Sequence, residues 1–281
     1  MIKQIFLDMD GTLLNNAGQV SAENIRVIRE SQIPLSLVSA RAPLEMAAAI
    51  DDLGLTTTQI GFNGGLIYRR TQGKLQVLES HFIPSQTSST LLRWLKENFP
   101  SVSCSYYTKD AWLTEQIDAG IEYETGLTGI TPTLTTSQTL RTAAQAGIFK
   151  IMLIVFDQQT MLKLQSELLT LNLKAVAIQQ SGTMYLEITS KNAVKARGIE
   201  YIMQEQHISQ EETAAFGDGH NDLPMLQAVG TPIVMGNALD VIKSAGKFVT
   251  KTNDEDGVAY GITHFISQLP NEQNSELSQA E

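Results

Sequence analysis

Two aspartates near the start of the chain have the type and spacing to act together chemically. Asp8 and Asp10 follow the apolar run Ile5-Phe6-Leu7, and Gly11 comes directly after them. Side chains alternate along an extended backbone, so the two carboxylates fall on the same side while Met9 points away. Like charges this close repel each other unless a cation lies between them or one of them holds a proton. The pair therefore indicates a site for a hard divalent cation such as Mg2+, with two solvated acids at a strand end as the simpler alternative.

A second segment repeats this design late in the chain. The apolar run 213–216 is followed by a Gly-Asp-Gly turn around Asp218, and Asn221 and Asp222 come next at the predicted start of a helix. Taken alone, this segment could equally be a turn that carries acids by chance. His220 lies in the same turn, and we predict a side chain that is solvated or faces a covering domain.

Two further boundaries between predicted elements present polar side chains. Ser39 ends the predicted strand 33–38, and Lys195 lies in the first turn of a helix predicted over 193–206. Serine is a favoured helix N-cap, but its hydroxyl and the N–H groups of a helix start can also hold a phosphate. A positive charge is mildly unfavourable at a helix N-terminus. Lys195 is therefore either a solvated lysine or one that has a partner elsewhere in the chain.

Together the four segments resemble the motifs of the haloacid dehalogenase superfamily of phosphatases, in its Cof-type branch. The matching strings are Asp-Met-Asp-Gly-Thr-Leu-Leu from Asp8, Ser-Ala-Arg from Ser39, Leu-Glu-Ile-Thr followed by Lys195, and Gly-Asp-Gly-His-Asn-Asp around Asp218. Relatives usually have glycine where this chain has Ala40, and glycine again where it has Ala196. The first and last strings are the most specific of the four.

The resemblance implies hydrolysis of phosphate monoesters through an aspartyl-phosphate. It makes Asp8 the nucleophile and Asp10 the general acid and base. It implies a Mg2+ ion held by the Asp8 carboxylate, the Asp10 backbone carbonyl and the Asp218 carboxylate, with Asp222 supporting them from behind. The groups that it implies for the phosphoryl oxygens are Ser39, Lys195, Asn221 and the backbone N–H groups of Met9 and Ala40.

Composition narrows the class of partner and the compartment. The chain has 281 residues and a formal net charge of -10, and its pI is near 4.9. This acidity argues against nucleic acid or an anionic membrane as a partner. The single cysteine, Cys104, fits a reducing cytoplasm, and no signal peptide is predicted. The longest apolar run, 151–156, is far shorter than the roughly 20 residues of a membrane-spanning helix.

The order of elements predicts where the four segments meet. Strand and helix alternate from the N-terminus, which is typical of an open parallel sheet that binds ligands beyond the carboxyl ends of its strands. The resemblance implies an α/β fold: a doubly wound, Rossmann-like core domain of residues 1–82 and 186–281, with a smaller α/β cap domain of residues 83–185 inserted. A helix is predicted over 114–124 in that insertion, and the polar tail after Leu269 is predicted to be disordered.

Several alternatives stay open at the level of sequence. A phosphotransferase or mutase would use the same phospho-Asp8, and a non-catalytic protein that binds phosphorylated metabolites is a third possibility. Sugar phosphates, pyridoxal phosphate and flavin mononucleotide all fit the implied class of small phosphorylated substrate. The oligomeric state and the role of His220 are left open, as is that of Asn63, which lies in a predicted hairpin at 59–68.

Overall fold

The computed structural model describes residues 1–71 and 73–269, and the tail after Leu269 lies outside the described residues. The N-terminal elements are β1 (Gln4–Leu7), α1 (Ala22–Ser31), β2 (Leu35–Leu37), α2 (Pro43–Leu53), β3 (Gln59–Gly61), β4 (Leu66–Thr71) and β5 (Lys74–Ser80). The middle elements are α3 (Ser85–Asn98), β6 (Ser103–Tyr107), β7 (Trp112–Thr114), α4 (Ala119–Thr128), β8 (Thr133–Leu134), α5 (Ser137–Ala146), β9 (Lys150–Ile154), α6 (Gln158–Thr170), β10 (Val176–Ser181) and β11 (Tyr185–Ser190). The C-terminal elements are α7 (Lys195–Gln206), β12 (Thr213–Gly217), α8 (Leu223–Gln227), β13 (Thr231–Val234), α9 (Asp240–Lys243), β14 (Phe248–Val249) and α10 (Gly257–Gly261).

A five-stranded parallel sheet organises the first unit of the chain. Its strand order is β14-β13-β12-β1-β2, and every neighbouring pair runs parallel. All four residues of β1 are buried, as expected for a strand covered on both faces. The chain moves to one side of β1 for β2 and to the other side for β12, so the strand order reverses beside β1. The parallel pairs confirm the predicted sheet. Ligands bind at such a reversal of strand order, beyond the carboxyl ends of the strands, so the expected crevice lies there.

A short turn and the start of α7 pack closely in this unit. Residues Phe62–Gly64 form a single 3-10 turn between β3 and β4, which pair antiparallel as the hairpin pattern predicts. Asn63 has a left-handed backbone with φ of 55°, a conformation that asparagine tolerates better than most residues. A Cβ on Gly64 would lie 2.2 Å from the carbonyl oxygen of Val194, so only glycine lets the turn approach the start of α7.

The second unit has its own sheet and core. Its six strands follow the order β10-β11-β9-β6-β7-β8, and apolar side chains such as Ile151, Leu153 and Ile188 pack with residues of α3, α5 and α6. The helix predicted over 114–124 begins later, at Ala119. The prediction was wrong because Thr114 belongs to β7 and Asp118 is the N-cap, accepting hydrogen bonds from two backbone N–H groups of the first turn.

The contacts within the chain divide it into two compact units. One unit comprises Met1–Ala40, Ala47–Leu78 and the chain from Val194 onwards, and the other comprises Arg41–Met46 and Glu79–Ala193. The domains expected from the sequence were 1–82 with 186–281, and 83–185. Among the described residues, no helix has the length and apolar character that crossing a bilayer requires.

Candidate active site

Asp8 and Asp10 follow the end of β1 and lie in different environments. The backbone N–H of Asp8 donates to the carbonyl of Phe216 at 3.1 Å, which extends the parallel pairing of β1 with β12 by one residue. The Asp8 side chain is buried, whereas Asp10 is exposed. Between them, Met9 is buried, and its carbonyl accepts hydrogen bonds from the N–H groups of Thr12 and Leu14 at 3.2 and 2.8 Å. The chain therefore makes a closed loop directly after Asp8.

Lys195 is buried between two carboxylates that come from distant parts of the chain. Its Nζ donates to Asp8 Oδ1 at 2.5 Å and to Asp222 Oδ1 at 2.6 Å, and the residue is only 1% exposed. Burial of this charge is tolerable because two opposite charges contact it directly. The alternative of a solvated lysine is wrong, and the partners that its position in α7 lacked are 187 and 27 residues away in sequence.

Asp222 is held by hydrogen bonds to both of its carboxylate oxygens. Oδ1 accepts from Lys195, and Oδ2 accepts from the backbone N–H groups of Asp218 and Gly219 at 3.0 and 2.9 Å. The residue is 1% exposed. Its carboxylate therefore shapes the turn that carries Asp218 and orients the ammonium group of Lys195.

Asp218 follows β12 and lies close to the other two carboxylates. Asp8, Asp218 and Asp222 each offer a carboxylate oxygen, and these oxygens all lie within 4.8 Å of one another. Thr12 donates its hydroxyl to Asp218 Oδ1 at 3.2 Å, so the loop after β1 also contacts the turn after β12. The site thus combines the first, third and fourth of the four sequence segments.

The electrostatics of the group show an excess of negative charge. Burial raises the pKa of Asp8 well above its usual range, the charge of Asp222 raises it further, and Lys195 opposes both effects. Burial and then the charge of Asp222 raise the pKa of Asp218 to about 6. Burial alone would lower the pKa of Lys195, but the charges of Asp8 and Asp222 outweigh it and raise that pKa. Lys195 therefore stays charged, and further positive charge would favour ionised Asp8 and Asp218.

The donor set fits a hard divalent cation. Carboxylate oxygens are the ligands that Mg2+ prefers, and those of Asp8 and Asp218 are near enough to share an ion. Asp222 is the poorer ligand, because it is almost fully buried and both of its oxygens accept hydrogen bonds of 3.0 Å or less. Asp218 is less buried, and its two hydrogen bonds are longer, at 3.2 and 3.5 Å. Direct ligation by Asp8 and Asp218, with Asp222 in support, stays a prediction of the resemblance.

Two of the residues expected to bind phosphate, Ser39 and Asn221, both contact Asn63. The carbonyl of Ser39 accepts the N–H of Asn63 at 2.8 Å, and Asn63 Oδ1 accepts from Asn221 Nδ2 at 3.5 Å. Ser39 is buried two residues beyond the end of β2, and half-buried Ala40 follows it. Asn63, whose role the sequence left open, therefore lies between two of the candidate phosphate ligands, while His220 is exposed beside them.

Two residues that contact this site, Thr12 and Asn237, were not predicted from the sequence to belong to it. Thr12 contacts Asp218 as described, and Asn237 donates its amide to the carbonyl of Gly11 at 2.8 Å. Asn237 lies three residues beyond the end of β13, the neighbour of β12 in the sheet. The rule that polar residues at strand ends converge would have found it, had it been applied to this strand as well.

The charge excess leads to a prediction for Asp218. A carboxyl group whose pKa is raised on folding binds its proton more tightly in the folded state, so it makes stability fall as pH rises from about 4 to about 6. We expect Asp218→Asn to raise the melting temperature of the metal-free protein by roughly 2–4 °C at neutral pH, corresponding to about 1 kcal/mol, and by less at pH 5.

The measurement is thermal unfolding of the variant and the wild type in chelator at several pH values. Asp52→Asn, at an exposed aspartate, is the matched control and should leave the melting temperature unchanged. Added Mg2+ should stabilise the wild type and not Asp218→Asn. A lower melting temperature of Asp218→Asn at neutral pH would contradict the charge excess.

Carboxylates grouped around an ammonium group, at the strand-order reversal of a parallel sheet, form an α/β site that suits a cation. The sequence model of one protein family, the haloacid dehalogenase-like hydrolases, matches residues 5–262 of the chain. The chain therefore belongs to that family, as the four motifs indicated.

Named relatives and solved structures agree with this assignment. The chain is 29% identical to phosphatase YwpJ of Bacillus subtilis, covering 94% of this chain and 100% of the relative. It is 28% identical to the 5-amino-6-(5-phospho-D-ribitylamino)uracil phosphatase YwtE of the same organism, covering 95% and 99%. A haloacid dehalogenase-like hydrolase from Bacteroides thetaiotaomicron has a similar structure, with a TM-score of 0.84 at 26% identity over 94% and 99% of the chains. The chain is thus an enzyme of this family, and its relatives place it with the phosphatases.

Proposed function

We propose that the protein is a Mg2+-dependent, cytoplasmic phosphatase that hydrolyses small phosphorylated metabolites through an aspartyl-phosphate on Asp8. The observation that carries the proposal is the buried contact of Asp8 with the ammonium group of Lys195 at 2.5 Å, beside Asp218 and Asp222. A nucleophilic carboxylate must be ionised to attack phosphorus, and this contact favours the ionised form.

In the first step, a carboxylate oxygen of Asp8 attacks the phosphorus atom of the ester. An O–P bond forms to Asp8 while the bond from phosphorus to the alcohol oxygen breaks. Asp10 donates its proton to that leaving oxygen, so that the product leaves as a neutral alcohol. The exposure of Asp10 two residues after the nucleophile suits a group that must exchange protons with substrate and water.

In the second step, water hydrolyses the aspartyl-phosphate. Asp10, now ionised, takes a proton from the water molecule whose oxygen attacks phosphorus. The O–P bond to Asp8 breaks, inorganic phosphate leaves, and Asp8 returns as a carboxylate. Asp10 thus acts first as an acid and then as a base: it is protonated before the first step and ionised before the second.

The remaining residues bind charge and do not react. Lys195 neutralises part of the charge on Asp8 and on the phosphoryl oxygens, and Asp222 keeps it in position. Ser39 and Asn221 would donate hydrogen bonds to those oxygens, together with the backbone N–H groups of Met9 and Ala40. Asp8, Asp218 and the backbone carbonyl of Asp10 would hold the Mg2+ ion, which supplies positive charge where negative charge accumulates in the reaction.

The test is release of phosphate by the purified protein from a panel of phosphorylated metabolites. The panel includes sugar phosphates, pyridoxal phosphate, flavin mononucleotide and a phosphorylated ribityl compound of the kind named for one relative. We expect release of inorganic phosphate with Mg2+ and a loss of at least about 100-fold in chelator, because charge stabilisation is the main catalytic contribution here.

The same assay separates the competing functions. A mutase or phosphotransferase would convert one sugar phosphate into another, or label an added acceptor alcohol, with little free phosphate. A binding protein would retain ligand without turnover. Substantial hydrolysis in chelator would contradict the proposed dependence on a divalent cation.

A further inference from the structure

Hydrogen bonds to three groups fix the orientation of the Asn237 side-chain amide. Its Oδ1 accepts the backbone N–H of Asn253 at 3.1 Å, and its Nδ2 donates to the carbonyl of Gly11 at 2.8 Å and lies 3.5 Å from Asp218 Oδ2. If the amide were reversed, its oxygen would face a carbonyl and a carboxylate, both of which only accept hydrogen bonds. The amide therefore points its two N–H donors at the loop after β1 and at the turn after β12.

The loop that Asn237 contacts has little room to shift. Gly11 has φ of 74°, and a Cβ there would lie 2.3 Å from Asp218 Oδ2, so the backbone of the loop lies directly against the Asp218 carboxylate. Asn253 holds the next part of the loop, because its buried side chain donates to the carbonyl of Leu14 at 2.9 Å. Two asparagines thus bind two carbonyls, those of Gly11 and Leu14, in the segment that follows Asp8 and Asp10.

The Asp218 carboxylate is contacted from both of its sides. Thr12 donates to Oδ1 at 3.2 Å, and Asn237 approaches Oδ2. Hydrogen bonds to the outer side of a ligating carboxylate fix its orientation, and losing them weakens metal binding by about 10- to 100-fold. Asn237 thus contacts both Asp218 and the carbonyl of Gly11.

We infer that Asn237 is a positioning residue, which holds the loop after Asp8 and Asp10 and the carboxylate of Asp218 in fixed register. It acts through Gly11 and Asp218. The part of this inference that concerns metal rests on the proposed function. The part that concerns the loop does not, because it depends only on the hydrogen bond to Gly11.

The loop is tested without metal or substrate, by hydrogen exchange of the Thr12 and Leu14 amides, both of which donate to Met9. Asn237→Ala should speed their exchange by about fivefold, the effect of losing one net hydrogen bond. Asn237→Asp keeps the size of the side chain and its acceptor for Asn253 but replaces the donor by an oxygen. It should speed exchange at least as much, whereas a role in filling space would leave the wild-type rates.

The metal arm measures Mg2+ binding by calorimetry in the absence of substrate. We expect Asn237→Ala to bind Mg2+ about 10-fold more weakly than the wild type. Asn98→Ala is the matched control: it removes another exposed asparagine whose amide donates to a backbone carbonyl, that of Trp94 at 2.9 Å. This variant should keep the wild-type Mg2+ affinity and the wild-type exchange rate of Thr12.

The hydrogen-exchange and Mg2+-binding measurements test separate parts of the inference. Unchanged exchange in Asn237→Asp would overturn the positioning role whatever happens to metal. A wild-type protein that binds no Mg2+ would contradict the proposed metal site, while the exchange rates would still decide the role of Asn237 in the loop. Equal Mg2+ affinity in the wild type and Asn237→Ala would overturn the inferred effect on Asp218.

Discussion

Asp8→Asn should reduce phosphate release by about 10⁴-fold or more, the largest effect that we expect from a single substitution. The amide has the shape of the carboxylate but lacks the ionised oxygen that attacks phosphorus. Losses of this size or greater accompany removal of the nucleophile in other enzymes that form covalent intermediates. The measurement is turnover at saturating Mg2+ with the best substrate of the metabolite panel.

The variant should nevertheless fold, and this separates catalysis from stability. Asp8 is buried next to Asp222, whose negative charge repels its own, so neutralising Asp8 relieves part of that repulsion. Lys195 keeps Asp222 as a charged partner in this variant. We expect a melting temperature in chelator at or near that of the wild type. After an acid quench during turnover, the wild type should carry one phosphoryl group by mass spectrometry and Asp8→Asn none. Turnover within about 10-fold of the wild type would exclude Asp8 as the nucleophile.

Lys195→Met should lower both activity and stability, the second largest effect. Lys195 is the ammonium group between Asp8 and Asp222, so methionine fills most of its volume but leaves two buried carboxylates without their cation. Removing one partner of a buried ion pair costs about 3–5 kcal/mol. Turnover should fall by at least about 100-fold, because the charge on Asp8 and on the phosphoryl group loses its partner. Thermal unfolding in chelator and phosphate release with Mg2+ measure the two effects.

The same helix offers a control for this substitution. Arg197 lies two residues further along α7 and is exposed. Arg197→Met removes a positive charge from the same region and should change neither the melting temperature nor turnover by a measurable amount. Equal behaviour of the two variants would mean that Lys195 acts only through the overall charge of the chain and not through its contacts.

The pattern of residues was sufficient to predict the sheet and the edge at which chemistry gathers. Apolar runs that end in small or charged residues predicted parallel strands, and β1, β2 and β12 run parallel as neighbours. The pattern was less successful for α4, because both 114–124 and a later start have acceptable helical composition. The choice depended on the pairing of Thr114 with Ser105 in β6, which is not a local property.

The environment of Lys195 could not be predicted from local sequence. A lysine in the first turn of a helix is an ordinary solvated residue unless the fold supplies partners, and its two partners come from the ends of different segments of the chain. Asn237 gives the same lesson, because its amide is defined by Gly11, Asp218 and Asn253, none of which is a neighbour in sequence.

The sequence by itself determined the class of fold, the family and the chemical types gathered at the site, because these follow from short-range periodicity and from the strings around Asp8 and Asp218. Only the tertiary structure decided which carboxylate oxygens share the ammonium group of Lys195, and that Asp222 supports the site with both oxygens engaged. It also decided that Asn63 and Asn237 belong to the site. The physical reason is that burial and hydrogen-bond partners depend on which strand ends meet in space, and distances of a few ångströms between remote segments are not encoded in the spacing of residues along the chain.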